Sequence, residues 1–313
     1  MIMFGALDLA LAAIVLGVAV WTIAARETFS AVVGYVAYGL LLAIIWVRLY
    51  APDIALTEAA IGSGVTGVLL VSASARLKRL SASDPAPGAA LKVAAAALAV
   101  LVAGALAAAV LSLPDPARSL APDADSRLAA TGLGNAVTAV LIAYRSFDTM
   151  LEKVVLVLAV VGVWSVAPDR FWGGAPAPLG PAAPDAALVF LARILAPIGV
   201  VIGVQMFWVG ADEPGGAFQG GAILAAMWMI VMMARLTDPP RIGSGRLRLA
   251  LIAGPAVFLL VGVAGPIIAG SFFAYPAGFA KPVILFIEAF MVLSIAVTLP
   301  LLVAGPPSGA ARR

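Results

Sequence analysis

The chain contains no cysteine and no histidine, and only 11% of its 313 residues are charged. Without cysteine and histidine it has no disulfide, no thiolate nucleophile, no Ser-His-Asp triad and no zinc or haem site of the usual kind. Any proton chemistry would therefore depend on Asp, Glu, Lys, Tyr or water. We expect neither a bound cofactor nor a metal site.

Hydrophobic residues make up 63% of the chain, and the mean hydropathy is +1.11. Soluble domains have about 45–50% apolar residues and about 25% charged residues. The composition therefore excludes an ordinary soluble protein and predicts that the lipid bilayer surrounds most of the chain. The net charge of +3 is read as a signal of membrane topology, and we expect no binding to nucleic acid.

Long apolar stretches predict an all-α membrane protein, because a membrane β-barrel would show alternating rather than continuous hydrophobicity. The expected fold has about nine transmembrane helices plus one lateral interfacial helix. The first stretch has no basic segment before it, so we expect a membrane helix there and not a cleaved signal peptide. The stretches cover approximately residues 3–24, 29–50, 54–75, 90–112, 148–167, 187–209, 219–236, 248–270 and 282–304.

Two proline-rich linkers, residues 113–130 and 167–184, punctuate the sequence. They predict three sections, residues 1–80, 81–168 and 185–313. The expected sections contain three helices, two helices with the lateral helix, and four helices.

The lateral helix is predicted over residues 131–145, where apolar residues recur at helical spacing over a stretch too short to span a bilayer. A tilted half-helix within the membrane is the alternative. With nine spans and the N-terminus outside, 13 of the 19 Lys and Arg residues fall on one side. The positive-inside rule then predicts a cytoplasmic C-terminus.

Glu58 is the first candidate for ion transport, because a charge within a predicted span costs about 2.5–3.5 kcal/mol and is usually functional. The alternative is a structural ion pair with Arg48. Asp53, at the start of the same span, is already explained by its favourable position near the helix N-terminus. The glycine-rich residues 62–67 weaken this helix and predict a π-bulge or hinge.

Glu152 and Glu288 are the other two candidates for an ion or proton path. Glu152 lies about one turn into the fifth span, where a local salt bridge with Lys153 is the structural alternative. Glu288 lies seven residues into the last span, after Lys281, which is a candidate partner. A charge at that depth is a candidate for function, and a structural pair with Lys281 or with a facing helix is the alternative.

Residues 210–221 contain five glycines and one proline. This composition disfavours a regular helix and predicts a tight loop between the sixth and seventh spans. The alternative is that its free backbone amides bind an ion or a neighbouring subunit. The residues predicted for this structural loop are Pro214, Gly215, Gly216, Phe218, Gly220 and Gly221.

Three segments, in the same order, resemble one family. Residues 51–62 are similar to a helix signature in the C-terminal part of the A subunit of Mrp-type multisubunit Na⁺/H⁺ antiporters and in the matching subunit of membrane-bound hydrogenases. Residues 135–152 resemble the next segment of those proteins, and residues 214–221 resemble the Pro-Gly-Gly-Gly-Phe signature of the antiporter B subunit. The chain departs at Ala217, where that signature has glycine, and at Ala211, where the family often has histidine.

The resemblance implies a fusion of modules from the C-terminal part of the A subunit with a B-like subunit. It implies a subunit, not an enzyme, in a complex that exchanges Na⁺ and/or H⁺ across a bacterial or archaeal cell membrane, with other subunits of an Mrp-type or hydrogenase-type complex as partners. Glu58 and Glu152 match acidic positions near a lateral ion path, and Glu288 corresponds loosely to one in the last B-subunit helix. The first section is also distantly similar to a small respiratory complex I subunit whose third helix carries a π-bulge. An ion-pumping arm of a redox-driven complex and a structural scaffold subunit are the alternatives.

Overall fold

The structure, a computed structural model, describes residues 5–80, 88–114, 119–181 and 183–308, which are mainly helical. In these residues the only extended pairing is an isolated bridge between Pro176 and Pro307. The predicted all-α membrane fold is confirmed.

We number the helices in chain order, counting directly consecutive helical sections as one helix. The bounds are α1 Ala6–Ala24, α2 Thr28–Arg48, α3 Pro52–Thr57 with its continuations Glu58–Val65 and Thr66–Leu80, α4 Ala89–Leu111, α5 Ala121–Asp125, α6 Leu128–Thr131, α7 Ala136–Ala139 with its continuation Val140–Tyr144, α8 Ser146–Ser165, α9 Ala186–Val209, α10 Ala217–Met233, α11 Gly245–Ile268 and α12 Ala280–Ala304.

Seven helices in the described part of the chain are long and apolar enough to cross a membrane, namely α1, α2, α3, α4, α9, α11 and α12. The predicted count of nine spans is not confirmed. Of the two remaining candidates, α8 carries three charged side chains, Asp148, Glu152 and Lys153, within its first turns. The other, α10, has only 17 residues, at the lower limit of the length that spans a bilayer.

The middle of α3 is π-helical over Glu58–Val65, as the glycine-rich sequence predicts. Pro52 occupies the first helical position, where its missing N–H is not needed. The π-helical section then widens the helix where Gly62 and Gly64 offer no side chain to hold regular packing. Glu58 is its first residue.

The segment predicted as one lateral helix over residues 131–145 is interrupted, so that prediction is wrong in its extent. Gly132 ends α6 with a φ of 69°, a conformation that glycine adopts without strain. Asn135 then caps α7, its side chain accepting a hydrogen bond of 2.8 Å from the Val137 N–H. The helix therefore begins at Ala136 and becomes π-helical at Val140.

The carbonyl of Ile142, in the π-helical end of α7, accepts hydrogen bonds from two hydroxyl groups. Ser146 donates one, and Tyr275, in the loop between α11 and α12, donates the other at 2.7 Å. Burial raises the pKa of Tyr275 to about 12, so its hydroxyl stays protonated and remains a donor at neutral pH. This contact ties α7 to the last two helices.

Helices α9 and α10 pack closely because glycines face each other across their interface. Gly199 lies against Met227, and Gly203 lies against Leu224 and the Gly220 carbonyl. Small residues at four-residue spacing allow such close approach within membranes.

Replacing Gly220 with alanine is expected to lower the free energy of unfolding by about 1–3 kcal/mol, because overpacking a tight contact forces the backbone apart. The new Cβ would lie 2.6 Å from the Gly203 carbonyl oxygen. Gly104→Ala is the matched control, since nothing lies within 4 Å of its Cβ position. Thermal unfolding of the purified variants measures the difference, and equal midpoints would show that α9 and α10 are not in close contact.

Residues 210–221 are only partly a loop, which corrects the sequence prediction. The loop ends at Gly216, and Phe218, Gly220 and Gly221 lie in the first turns of α10. The two helical glycines are tolerated because they allow close contact with α9 and with Ile295 of α12. Gly215 and Gly216 have φ angles of 155° and 128°, which only glycine adopts readily.

Candidate functional site

A cavity of about 320 Å³ lies where the three predicted sections of the chain meet. We call it the central cavity. Its walls come from α3, α7, α8, α12 and the junction between the α9–α10 loop and α10. Its polar and charged side chains are Asp53, Thr57, Thr138, Thr149, Glu152, Lys153, Gln219 and Glu288.

Asp53 is buried at the cavity wall and joins the first section of the chain to the other two. Its Oδ1 accepts a hydrogen bond of 3.0 Å from the Gly215 N–H and one of 3.4 Å from the Asn135 side-chain amide. Asn135 also donates to the Glu213 carbonyl at 2.9 Å. A backbone amide of the α9–α10 loop therefore binds a carboxylate of this chain.

Glu288 is only 2% exposed and lies on α12 at the opposite side of the same loop. Its Oε1 accepts a hydrogen bond of 3.4 Å from the Ala217 N–H. Its Oε2 is buried and has no hydrogen-bond partner among the described residues. A buried carboxyl oxygen without a partner is costly, so this atom is available for a proton, a water molecule or a cation.

Lys153 is buried and holds its ammonium group between a carboxylate and an aromatic ring. Its Nζ lies 3.2 Å from Glu152 Oε1 and 4.3 Å from the centre of the Phe218 ring. The Lys153 side chain is 4% exposed, whereas that of Glu152 is 51% exposed. Glu152 therefore stands at the mouth of the cavity and Lys153 within it.

Gln219 and Thr138 make further hydrogen bonds around the cavity. The Gln219 side chain donates to Thr57 Oγ1 at 3.1 Å and to the Asp53 carbonyl at 3.4 Å. Thr138 donates to the Gly210 carbonyl at 2.6 Å. These bonds link α10 to α3 and α7 to the α9–α10 loop, so the cavity walls are held by polar contacts between sections.

Glu58 does not line the central cavity, although Glu152 and Glu288 do. Its half-buried side chain lies over Gly62 and near α2, where a Cβ at Gly39 would be 3.1 Å from Glu58 Oε1. The buried hydroxyl of Ser63, which also faces Gly39, has no hydrogen-bond partner within the described residues. The three predicted acidic residues therefore occupy two places in the structure.

Two of the three suggested ion-pair partners pair with other residues. Arg48 contacts Asp8, with 2.9 Å between Nε and Oδ1, and not Glu58. Lys281 contacts both oxygens of Asp212, at 2.6 and 2.7 Å, and not Glu288. Both suggestions assumed a partner nearby in sequence, whereas these partners lie 40 and 69 residues away.

Asp53 is the cavity residue that the sequence argument underestimated. Its place after Pro52 at a helix start was sufficient reason for a carboxylate there. Its burial depends on Asn135 and Gly215, which are 82 and 162 residues away in sequence. The sequence feature that could have indicated this position was the family resemblance, because all three of the resembling segments contribute to the central cavity.

Two family models match the chain. Residues 13–79 match the family MbhD, described as the D subunit of MBH. Residues 187–305 match the domain related to the MnhB subunit of Na⁺/H⁺ antiporter. An uncharacterized protein of Methanocaldococcus jannaschii is 30% identical over an alignment of 151 residues, which covers 44% of this chain and 58% of the archaeal protein.

Two solved structures share the fold. A chain of the Mrp complex from Dietzia sp. DQ12-45-1b superposes with a TM-score of 0.75 at 24% identity, covering 99% of this chain and 36% of that one. A chain of the membrane-bound sulfane sulfur reductase, an archaeal respiratory membrane complex, gives a TM-score of 0.56 at 24% identity, covering 68% and 97%. The chain thus spans little more than a third of the Dietzia chain.

The two matched regions contain the first and the third of the resembling segments, in the same order, and the middle segment, residues 135–152, lies between them. The chain therefore carries, on one polypeptide, a region that matches the MbhD family and a region that matches the MnhB-related domain, and it shares its fold with a chain of the Mrp complex.

Proposed function

We propose that this chain works within a membrane complex of several subunits that exchanges Na⁺ for H⁺ across a prokaryotic cell membrane. In this proposal Glu58, Glu152 and Glu288 contribute to the ion or proton path, and the other subunits of the complex are the partners. The chain itself catalyses no reaction and takes no cofactor. Its N-terminus faces outside and its C-terminus the cytoplasm.

One observation carries the proposal: in the central cavity, the Oε2 of Glu288 has no hydrogen-bond partner in the part of the chain that the structure describes. Intramembrane carboxyl groups are expensive and mark ion pathways or proton relays. Glu152 stands at the exposed end of the same cavity, so the two carboxylates define a route from the surface into the interior. Glu58, which lies near Gly39 together with the Ser63 hydroxyl, would extend the path within α3.

The second candidate function is the ion-pumping arm of a redox-driven complex. It is favoured by the similarity to one chain of an archaeal respiratory membrane complex, because the similarity covers 97% of that chain. In that case the same acidic residues would move ions while other subunits transfer electrons. The subunits that co-purify with this chain distinguish the two functions, since only the second predicts redox subunits.

Replacing Glu58 with glutamine is expected to reduce Na⁺-driven proton movement by roughly tenfold or more, because glutamine cannot take up or release a proton. We would measure dye-reported proton movement in inverted membrane vesicles after adding NaCl. Glu27→Gln is the matched control, since Glu27 is exposed at the start of α2.

Co-purified subunits should be unchanged in both variants. Normal proton movement in the Glu58→Gln variant would show that Glu58 is not part of the path. Wild-type vesicles that respond to an electron donor, but not to NaCl, would favour the redox-driven complex.

A further inference from the structure

Lys153 is a buried cation at the place where an ion path needs a cation-binding site. The cavity around it presents two carboxylates, Glu152 and Glu288, and the face of the Phe218 ring. An unpaired ammonium group would not be stable there, because burial of a charge without partners is costly. The surroundings of Lys153 are therefore those of a site built for one positive charge.

Two contacts stabilise that charge. Glu152 lies 3.2 Å from Nζ, and the Phe218 ring centre lies 4.3 Å away, within the range of a cation–π interaction. Glu288, a second carboxylate, lines the same cavity. Oxygen and aromatic groups of this kind also bind free monovalent cations, so Lys153 and a free cation would compete for the same place.

No other occupant is favoured by the arrangement of acidic groups. Among the residues that the structure describes, no three Asp or Glu side chains are grouped closely enough to hold a metal ion. Asp53, the third carboxylate of the cavity, is already bound by the Gly215 and Asn135 amides. Two carboxylates and one ammonium group remain.

We propose that the central cavity is a monovalent-cation site whose occupant is the ammonium group of Lys153. A lysine ammonium group is a compact point charge, and its tether keeps it in place at any Na⁺ concentration. This assignment deepens the proposed function and rests on it. It assigns the cavity to the movement of protons and excludes Na⁺ from it. Na⁺ would then cross the complex elsewhere.

The test is Na⁺ binding by the full chain, purified in detergent with the subunits that accompany it. Thermal-unfolding midpoints are compared in NaCl and in choline chloride at equal ionic strength. The wild type and Lys153→Arg should give equal midpoints in the two salts. Lys153→Met should have a midpoint about 2–4 °C higher in NaCl than in choline chloride. The reason is that Na⁺ binds the vacated site when its concentration is several-fold above the Kd.

Three further variants serve as controls for the test. The double variant Lys153→Met with Glu288→Gln should lose the rise in NaCl, because the site loses a carboxylate. Lys92→Met, at an exposed position of α4, should behave as the wild type. If Lys153→Met does not accumulate, Lys153→Gln removes the charge while keeping a group that can bind Glu152.

A rise in NaCl for the wild type that disappears in Glu288→Gln would overturn the proposal, since Na⁺ would then enter beside Lys153. Equal midpoints for folded Lys153→Met and Lys153→Gln in the two salts would also overturn it, because the vacated site would not take a cation. The measurement reports binding and not transport. A complex that fails to exchange Na⁺ for H⁺ would therefore contradict the proposed function while leaving this result unaffected.

Discussion

Replacing Asp53 with alanine is expected to lower the free energy of unfolding by about 3 kcal/mol, since hydrogen bonds to a charged group are worth about 1.5–3 kcal/mol each. The substitution removes the acceptor of two bonds and leaves the buried Gly215 N–H without a partner. It also removes the hydrogen bonds that join α3 to the α9–α10 loop. We therefore expect the substitution to weaken the contact between these two regions of the chain. Thermal or denaturant unfolding in detergent measures the effect.

Asp123→Ala is the matched control, because Asp123 is exposed and exposed substitutions usually change stability by no more than about 0.5 kcal/mol. Asp53→Asn should cost less than Asp53→Ala, since the asparagine oxygen can still accept the Gly215 N–H. Equal stability of the Asp53→Ala and Asp123→Ala variants would contradict the contact between α3 and the loop.

Replacing Glu288 with glutamine is expected to reduce proton movement by the assembled complex by roughly 100-fold or more, the usual effect of losing a proton-transfer group. The fold should persist, because glutamine keeps an oxygen that can accept the Ala217 N–H, as Glu288 Oε1 does now at 3.4 Å. The loss would therefore be one of proton exchange at Oε2, and not one of packing. Dye-reported proton movement in membrane vesicles measures it.

Assembly has to be followed in the same samples, because α12 is the most extensively buried of the long apolar helices. Unchanged co-purification together with lost transport supports a proton role for Glu288. Normal transport with glutamine at this position would show that Glu288 serves the structure alone, as a scaffold role requires. Glu27→Gln again controls for loss of an exposed carboxylate.

The helices were predictable from sequence, because a stretch of about 20 apolar residues has few stable alternatives in a bilayer. The π-helical section of α3 was predictable for a related reason. Its glycines weaken a regular α-helix, and their positions are visible in the sequence. The break before α7 was also visible in part, since Gly132 and Asn135 are typical helix-terminating and helix-capping residues.

The contacts of the charged residues were not predictable in the same way. Arg48 and Lys281 each had acidic candidates nearby in sequence, yet each pairs with a residue from another helix or loop. Such pairing depends on which helices become neighbours, and hydropathy carries no information about that. Lys153 contacts Glu152, its neighbour in sequence, but the Phe218 ring that covers it comes from α10.

The central cavity was less predictable from the sequence than the helices that form it, because the cavity forms only when distant segments come together. Asp53, Thr149 and Glu288 belong to three different sections of the chain. No periodicity within one section indicates that they share a wall. The resemblance to one family supplied the link, since it placed a motif in each of the three sections.

Two of the cavity walls come from regions that match two different families, and a third wall, from residues 137–153, lies outside both matches, yet all three are parts of one polypeptide. When two binding surfaces are joined covalently, their association becomes intramolecular, with an effective concentration in the millimolar range for short flexible linkers. Formation of the cavity is therefore insensitive to dilution and to unequal expression of its two halves. The fusion also fixes their stoichiometry at one to one, so every copy of Asp53 is synthesised together with the Gly215 amide that binds it.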